Sequence, residues 1–101
     1  MKSQRADIIA TVNLFPTEAG GRSGPTPNDM YGCLMVIDNN NNDIRINLEG
    51  AGSIFPGQTV RVPVRFLDWE RARESCSVGE RFLLREVYTI GAGVIDEIIF
   101  S

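Results

Sequence analysis

The sequence predicts an all-β domain, built as a barrel or sandwich of short strands. Clusters of Gly, Pro, Asn and Asp interrupt the chain at short intervals, and the stretches between them are β-branched or alternate apolar with polar residues. Residues 68–75 alone have the character of a helix, at most about two turns long. Because 101 residues is the length of one domain, we expect a single domain covering residues 1–101.

The first strand is predicted at residues 6–15, where every second side chain is apolar. Its inward-facing residues are Ile8, Ala10, Val12 and Leu14. Pro16 ends the strand, and residues 17–29 are so rich in Gly and Pro that we expect an exposed loop there.

A hairpin is predicted from residues 31–37 and 44–48, joined by a polar turn at residues 38–43. The turn has Asp and Asn at several ligand positions of a calcium-binding loop. However, Asp43 stands where such a loop needs glycine, and strands rather than helices flank it. We therefore favour a hairpin turn in which Asn and Asp adopt left-handed conformations.

A type II turn is predicted at residues 55–58, because Pro56 suits its first corner and Gly57 its second. The strand that follows, residues 60–66, has the clearest alternation of apolar and polar side chains in the chain. Pro63 lies within it and lacks a backbone N–H, so it suggests a sheet edge or a bulge.

Two further strands are predicted at residues 80–89 and 89–100, and Gly91 and Gly93 mark a close backbone approach or a bend in the second. We expect the interior to include Val60, Val62, Val64, Phe66, Phe82 and Leu84. Trp69, in the short helix, either caps one end of the sheet structure or anchors an interface.

Catalysis finds little support in the sequence. Histidine is absent, which removes the commonest general base and metal ligand. No glycine-rich phosphate loop ending in Lys-Ser or Lys-Thr is present, so nucleotide phosphates have no cradle. We expect a non-enzymatic protein with no catalytic residues, no cofactor, no metal site and no bound nucleotide.

The two cysteines, Cys33 and Cys76, are expected to be reduced, because their spacing matches neither a redox pair nor a metal knuckle. Cys33 belongs to an apolar strand and to the core, whereas Cys76 lies in a loop beside Arg73, where a thiolate is mildly favoured. Apolar runs fall short of the roughly 20 residues that span a bilayer. We therefore expect a cytoplasmic protein that does not bind membranes.

The net charge of the protein restricts which partners it can attract at long range. The formal net charge of −3 gives a polyanion such as RNA no favourable long-range field, so any nucleic-acid contact must be local. Four arginines lie in two same-face pairs on the predicted strands, and four glutamates lie close to them in sequence. One interpretation of this arrangement is a basic stripe. The negative total favours the other, a salt-bridged surface made by Arg61, Arg65, Arg81 and Arg85 with Glu70, Glu74, Glu80 and Glu86.

Four stretches of the chain resemble the C-terminal barrel domain of elongation factor Tu, in the family's order and at nearly its spacing. They are residues 18–25 (EAGGRSGP), 56–57 (PG), 79–86 (GERFLLRE) and 90–95 (IGAGVI). The corresponding family stretches are EEGGRHTP, PGD, GLRFAIRE and VGAGVV. The resemblance extends over residues 6–99 and implies a six-stranded antiparallel β-barrel like the third domain of that factor, here without a GTPase domain.

In that family the Gly-Gly-Arg-His loop lies against the T arm of aminoacyl-tRNA. The resemblance therefore implies a partner- or RNA-binding site at Gly20, Gly21, Arg22 and Ser23. Ser23 stands where the family has histidine, and the family's Tyr-Arg-Pro before the second strand is missing. The Arg22 guanidinium either binds a phosphate or is a loop residue that is solvated or paired with Glu18.

Two functions stay open. One is a non-catalytic binding module resembling the barrel with which a translation elongation factor contacts tRNA and partners. It would bind a protein or a structured RNA, tRNA included, through residues 20–27. The other is a stand-alone interaction protein, such as a decoy, immunity or regulatory protein, that mimics this barrel. The loop suits both, because its glycines leave backbone amides accessible and its prolines limit the entropy lost on ordering.

Overall fold

The structure, a computed structural model, describes residues 6–99 and is dominated there by six strands. The strands are β1 (Ile8–Leu14), β2 (Met30–Ile37), β3 (Asn40–Asn47), β4 (Thr59–Phe66), β5 (Arg81–Arg85) and β6 (Thr89–Ile98). The helix α1 (Trp69–Ala72) continues into a 3₁₀ turn at Arg73–Ser75, and a second 3₁₀ turn lies at Thr17–Ala19. The predicted helix at residues 68–75 is thus confirmed.

The strands form one closed antiparallel barrel in the order β1-β4-β3-β2-β5-β6, with β6 paired back onto β1. The predicted fold class, an all-β six-stranded antiparallel barrel, is confirmed. Because side chains alternate along each strand, one set of them points into the barrel. The four inward-facing residues predicted for β1 are fully buried in this core. Of the other predicted interior residues, Val62, Val64, Phe66, Phe82 and Leu84 are buried, and Val60 is partly buried against the core.

The β2–β3 hairpin has a shorter turn than predicted. Ile37 pairs with Asn40, so the turn is only Asp38 and Asn39, at φ of 50° and 66°. These left-handed conformations match the twist of the flanking strands, which is why Asn and Asp are found there. The predicted turn over residues 38–43 is wrong in its second half, because Asn42 lies buried in the ladder and its amide donates to a strand carbonyl.

Pro63 occupies neither a sheet edge nor a bulge, because the barrel is closed and the β4 register shows no shift at that residue. It pairs with Ile9 on β1, while the β3–β4 ladder covers only Val64 to Phe66 of β4 and so stops one residue short of Pro63. The missing N–H of Pro63 therefore costs no ladder bond on the β3 side. The predicted turn before β4 is confirmed by the positive φ of Gly57, 91°.

Strand β6 passes unusually close to its neighbours at its two glycines. A Cβ on Gly93 would lie 2.4 Å from both the Thr11 carbonyl oxygen and the Phe82 ring, and one on Gly91 would lie 2.6 Å from the Asn13 carbonyl oxygen. The predicted close approach is confirmed. Strand β6 ends at Ile98, so the predicted strand is too long at Ile99, and Phe100 lies outside the described residues.

Trp69 closes one end of the barrel rather than presenting itself to a partner. Its side chain is 8% exposed, and its ring centroid lies 5.4 Å from that of Phe66. Asp68 caps α1 by accepting the Arg71 backbone N–H at 3.3 Å. The capping interpretation of Trp69 is therefore the one that the structure supports.

We predict that Gly93→Ala lowers the free energy of unfolding by about 2 kcal/mol or more, because the added methyl overlaps a carbonyl oxygen and an aromatic ring. Gly24→Ala is the matched control, since nothing lies within 4 Å of a Cβ at that position. Urea denaturation of both variants measures the difference. Equal stability of the two variants would show that β6 does not need glycine at residue 93.

Candidate functional site

The predicted loop begins with a 3₁₀ turn that ends on two glycines. Gly20 has a φ of 93°, and its N–H donates to the Thr17 carbonyl at 3.1 Å. Gly21 is buried, its N–H donates to the Pro16 carbonyl at 3.0 Å, and a Cβ there would lie 2.0 Å from the Phe15 carbonyl oxygen. The expectation that these amides are accessible to a partner is wrong, because both are used inside the turn.

Hydrogen bonds also fix the far end of the loop. Thr26 is buried, its N–H donates to the Ile54 carbonyl at 3.0 Å, and its hydroxyl accepts the Ile54 N–H at 2.9 Å. The expectation of a wholly exposed loop is therefore wrong at Gly21 and Thr26. Ser23 between them is exposed, and Arg22 is half-buried. The loop is a fixed structure on the barrel, with its middle open to solvent.

The guanidinium of Arg22 holds the middle of the loop together. Its Nε donates to the Gly24 carbonyl and its Nη2 to the Pro25 carbonyl, each at 3.1 Å. Its Nη1 donates to the Glu86 carboxylate and lies 3.4 Å from the Tyr31 hydroxyl oxygen. Most of its donors are thus directed to the protein itself, and the side chain is only 21% exposed.

Glu86 joins three separate parts of the chain. One of its carboxylate oxygens accepts from both the Arg22 guanidinium and the Tyr31 hydroxyl, and the guanidinium carbon lies 5.3 Å from the centre of the Tyr31 ring. The predicted alternatives for Arg22, a solvated side chain or a pair with Glu18, are wrong. The partner lies 64 residues further along the chain, and only the tertiary structure brings the two together.

The ionisation of Tyr31 reflects this environment. Burial, which penalises the charged tyrosinate, raises the pKa of Tyr31 far above its ordinary value, and the bond to the Glu86 carboxylate raises it further. For Arg22, burial opposes the charge, but the contacts with Tyr31 and Glu86 outweigh it and raise the pKa. In this cluster a protonated phenol and a cation therefore donate to the same carboxylate oxygen.

Two apolar side chains stand beside the loop, on the turn at residues 86–88 between β5 and β6. Val87 is 86% exposed and Tyr88 is 51% exposed, and the Tyr88 hydroxyl donates to the Gly21 carbonyl at 3.3 Å. We call residues 20–27 together with Val87 and Tyr88 the loop surface. Sequence reasoning missed these two side chains because Glu-Val-Tyr carries no turn signal, so a strand was predicted through them.

Fewer arginines on the barrel wall form ion pairs than predicted. Arg61 lies 3.3 Å from Asp96 and 4.0 Å from Glu97, neither of which was expected as its partner. In contrast, Arg65, Arg81 and Arg85 have no ion-pair partner within 4.0 Å among residues 6–99. The predicted pairing with neighbouring glutamates is wrong for these three, because alternation along the strands and the barrel's curvature separate groups that are adjacent in sequence.

Both cysteines are unpaired, as predicted. Burial raises the pKa of the Cys33 thiol to about 12 and that of the Cys76 thiol to about 11. The expectation of a mildly favoured thiolate at Cys76 is wrong, because burial and the nearby Glu80 and Asp7 both disfavour a negative charge.

The part of the chain that the structure describes holds no group of three or more His, Cys, Asp or Glu side chains placed to bind a metal ion. Within the same residues, no helix is long and apolar enough to cross a bilayer. No protein-family model and no curated protein matches this chain. The resemblance to the elongation-factor barrel therefore stays a prediction, which rests on the four stretches of sequence named above.

We predict that Tyr31 stays protonated in the folded protein well above pH 10. Because its folded pKa is raised above the unfolded value of about 10, its contribution to stability is complete below that pH and is lost as the pH rises through the folded pKa. Tyrosinate absorbance, followed alongside circular dichroism, should show one component that appears only as the protein unfolds. Tyr31→Phe should remove that component, and its persistence in the variant would contradict the assignment.

Proposed function

We propose that this protein is a non-catalytic binding module that docks a partner protein on the loop surface. The observation that carries the proposal is the pairing of a fixed loop with two exposed apolar side chains, Val87 and Tyr88. Ordering a loop in advance lowers the entropy lost on binding, and partly exposed aromatic side chains are common interface anchors. The sequence resemblance supports the same surface, since it includes Gly20, Gly21, Arg22 and Ser23.

A protein partner is favoured over tRNA by the state of Arg22. A phosphate would need a free guanidinium fork, but this one is bonded to Glu86 and to two loop carbonyls. Replacing the Glu86 carboxylate by a phosphate would leave a carboxylate unpaired beside the phosphate. The formal net charge of −3 also repels a polyanion at long range. Arg22 is thus a positioning residue, which acts on the partner through the conformation of the loop.

The experiment is an affinity capture from native extract with matched variants, followed by titration of the captured protein in purified form. Val87→Ser should weaken partner binding by about 1 kcal/mol or more, because it removes the most exposed apolar side chain of the loop surface. Val78→Ser is the control, since Val78 is 66% exposed but precedes β5 instead of following it. Equal effects of the two substitutions would remove the loop surface from consideration.

Arg22→Ala and Glu86→Ala separate positioning from direct contact. If Arg22 positions the loop, both substitutions weaken partner binding to a similar extent, roughly 1 to 2 kcal/mol. If Arg22 itself binds a phosphate, Glu86→Ala frees the guanidinium and strengthens binding. A gel shift with bulk tRNA over a salt series completes the test, because phosphate contacts make affinity fall with salt. A salt-dependent shift that Glu86→Ala enhances would replace the protein partner by tRNA.

A further inference from the structure

A groove of about 350 Å³ runs along the outer face of the barrel, where β6 lies between β5 and β1. The register sets Ala92 of β6 between Leu83 of β5 and Asn13 of β1, with all three side chains on the outer face. The groove forms because Ala92 is the smallest of the three, so the larger side chains rise on either side of it.

The floor of the groove and its β5 wall are apolar. Ala92 and Val94 form the floor and are half-buried, and Leu83 forms the wall with 44% of its surface exposed. The buried Phe82 ring and the Gly93 backbone close the groove from below. An apolar group seated here would cover Leu83 and displace water from the floor, which is favourable.

The polar side chains of the β1 wall donate their hydrogens to the protein itself. The Thr11 hydroxyl donates to Asp96 at 2.6 Å. The Asn13 amide nitrogen donates to the Thr59 hydroxyl at 2.9 Å and to the Gln58 carbonyl at 3.4 Å. This wall therefore offers a ligand no free donor, and any ionic contact has to come from the β5 side.

Arg81 is the only charged residue that lines the groove in the described part of the chain. It pairs with Val94 across the β5–β6 ladder, one outward row away from Leu83 and Ala92. Its side chain is exposed and has no ion-pair partner within 4.0 Å among residues 6–99. The groove is thus an apolar trough with one unpaired cation at its end.

The carboxylates that lie close in sequence to the groove are directed elsewhere. Asp96 and Glu97 both lie against Arg61, at 3.3 Å and 4.0 Å. Glu80 precedes Arg81 in extended chain, where alternation turns the two side chains to opposite sides, and its charge acts on a half-buried cysteine thiol. Arg81 therefore sets the local field in the groove, and that field favours an anion.

The footprint of the groove suits a small molecule better than a macromolecule. It covers two outward rows, about 7 Å apart along the strands, and three strands, which together span about 10 Å. A stable protein interface needs roughly 800 Å² from each partner, far more than this area. The volume, in contrast, lies in the range of sites for small organic ligands.

We propose that this groove binds a small organic molecule that has an apolar body and one carboxylate. The carboxylate pairs with Arg81, and the apolar body lies over Ala92 against Leu83. The site is independent of the loop surface, because none of residues 20–27, Val87 and Tyr88 lines the groove.

The test is an amide NMR titration of the full chain with three ligands that share one alkyl chain: octanoate, its neutral isostere octanamide, and octylammonium. Octanoate should bind about threefold to fivefold more tightly than octanamide, as expected for a partly exposed charge pair. The amide resonances of Leu83, Ala92 and Val94 should move first. Octylammonium should bind most weakly, although the net charge of −3 attracts it at long range.

Matched variants locate the carboxylate and the apolar body. Arg81→Gln should remove the preference for octanoate over octanamide. Arg85→Gln is the control and should keep that preference, because Arg85 is exposed on the same strand and face but does not line the groove. Ala92→Leu should fill the groove and prevent binding of both ligands, without a change in the core, since residue 92 faces outward.

Equal binding of octanoate and octanamide to the wild-type protein, or equal effects of Arg81→Gln and Arg85→Gln, would overturn the proposal. Self-association of the ligand-free protein that Ala92→Leu abolishes would overturn it in favour of a second copy of this chain as the occupant. Partner capture with Val87→Ser tests a surface that shares no residue with the groove. A negative result in one experiment therefore leaves the other proposal standing.

Discussion

The pairing of β6 with β1 closes the sheet, and the rest of the structure depends on that closure. Gly91 and Gly93 permit it, because a Cβ at either residue would overlap a carbonyl oxygen of β1. Closure leaves none of the six strands with a free edge and directs the alternating apolar side chains into one interior. Pro63 is tolerated inside β4 for a separate reason: the β3–β4 ladder stops at Val64, so the missing N–H breaks no bond to β3.

Closure also fixes which loops meet at the end of the barrel. The chain leaving β1 and the turn between β5 and β6 are distant in sequence, yet β1 and β5 both pair with β6. Their ends therefore come together, and Arg22 bonds Glu86 there while Tyr31 of β2 completes the cluster. Arg22, which the sequence resemblance marks as part of a binding site, instead holds the loop in place through its own hydrogen bonds. Beside it, Val87 and Tyr88 remain exposed.

The distribution of charge follows from register more than from composition. Composition predicts a mildly acidic surface in which arginines and glutamates neutralise one another. Strand pairing instead sets Arg45 opposite Arg65 and leaves a glycine beside Arg45, so two like charges meet on the outer face of the barrel. Net charge decides long-range attraction and repulsion, whereas a register of this kind decides what a local site can recognise.

The sequence by itself determined the secondary structure and most of the core. Alternation along β1 and β4, the turn at residues 55–58 and the glycines of β6 are local signals, and each has a steric or hydrophobic cause that acts within a few residues. The resemblance added the strand number and the closed barrel, which periodicity alone left open between barrel and sandwich. The sequence did not show that the β2–β3 turn has only two residues, because the polar Asn residues at the start of β3 resemble a continuation of the turn.

Only the tertiary structure decided the partners of charged and polar side chains. Sequence neighbours suggested Glu18 for Arg22 and nearby glutamates for the wall arginines, but the observed partners of Arg22 and Arg61 come from other strands and turns. The physical reason is that an ion pair needs two side chains within about 4 Å, and in a barrel that distance is set by strand order and register. The partners of Arg22 and the exposure of Val87 both follow from where strand order and register place these residues.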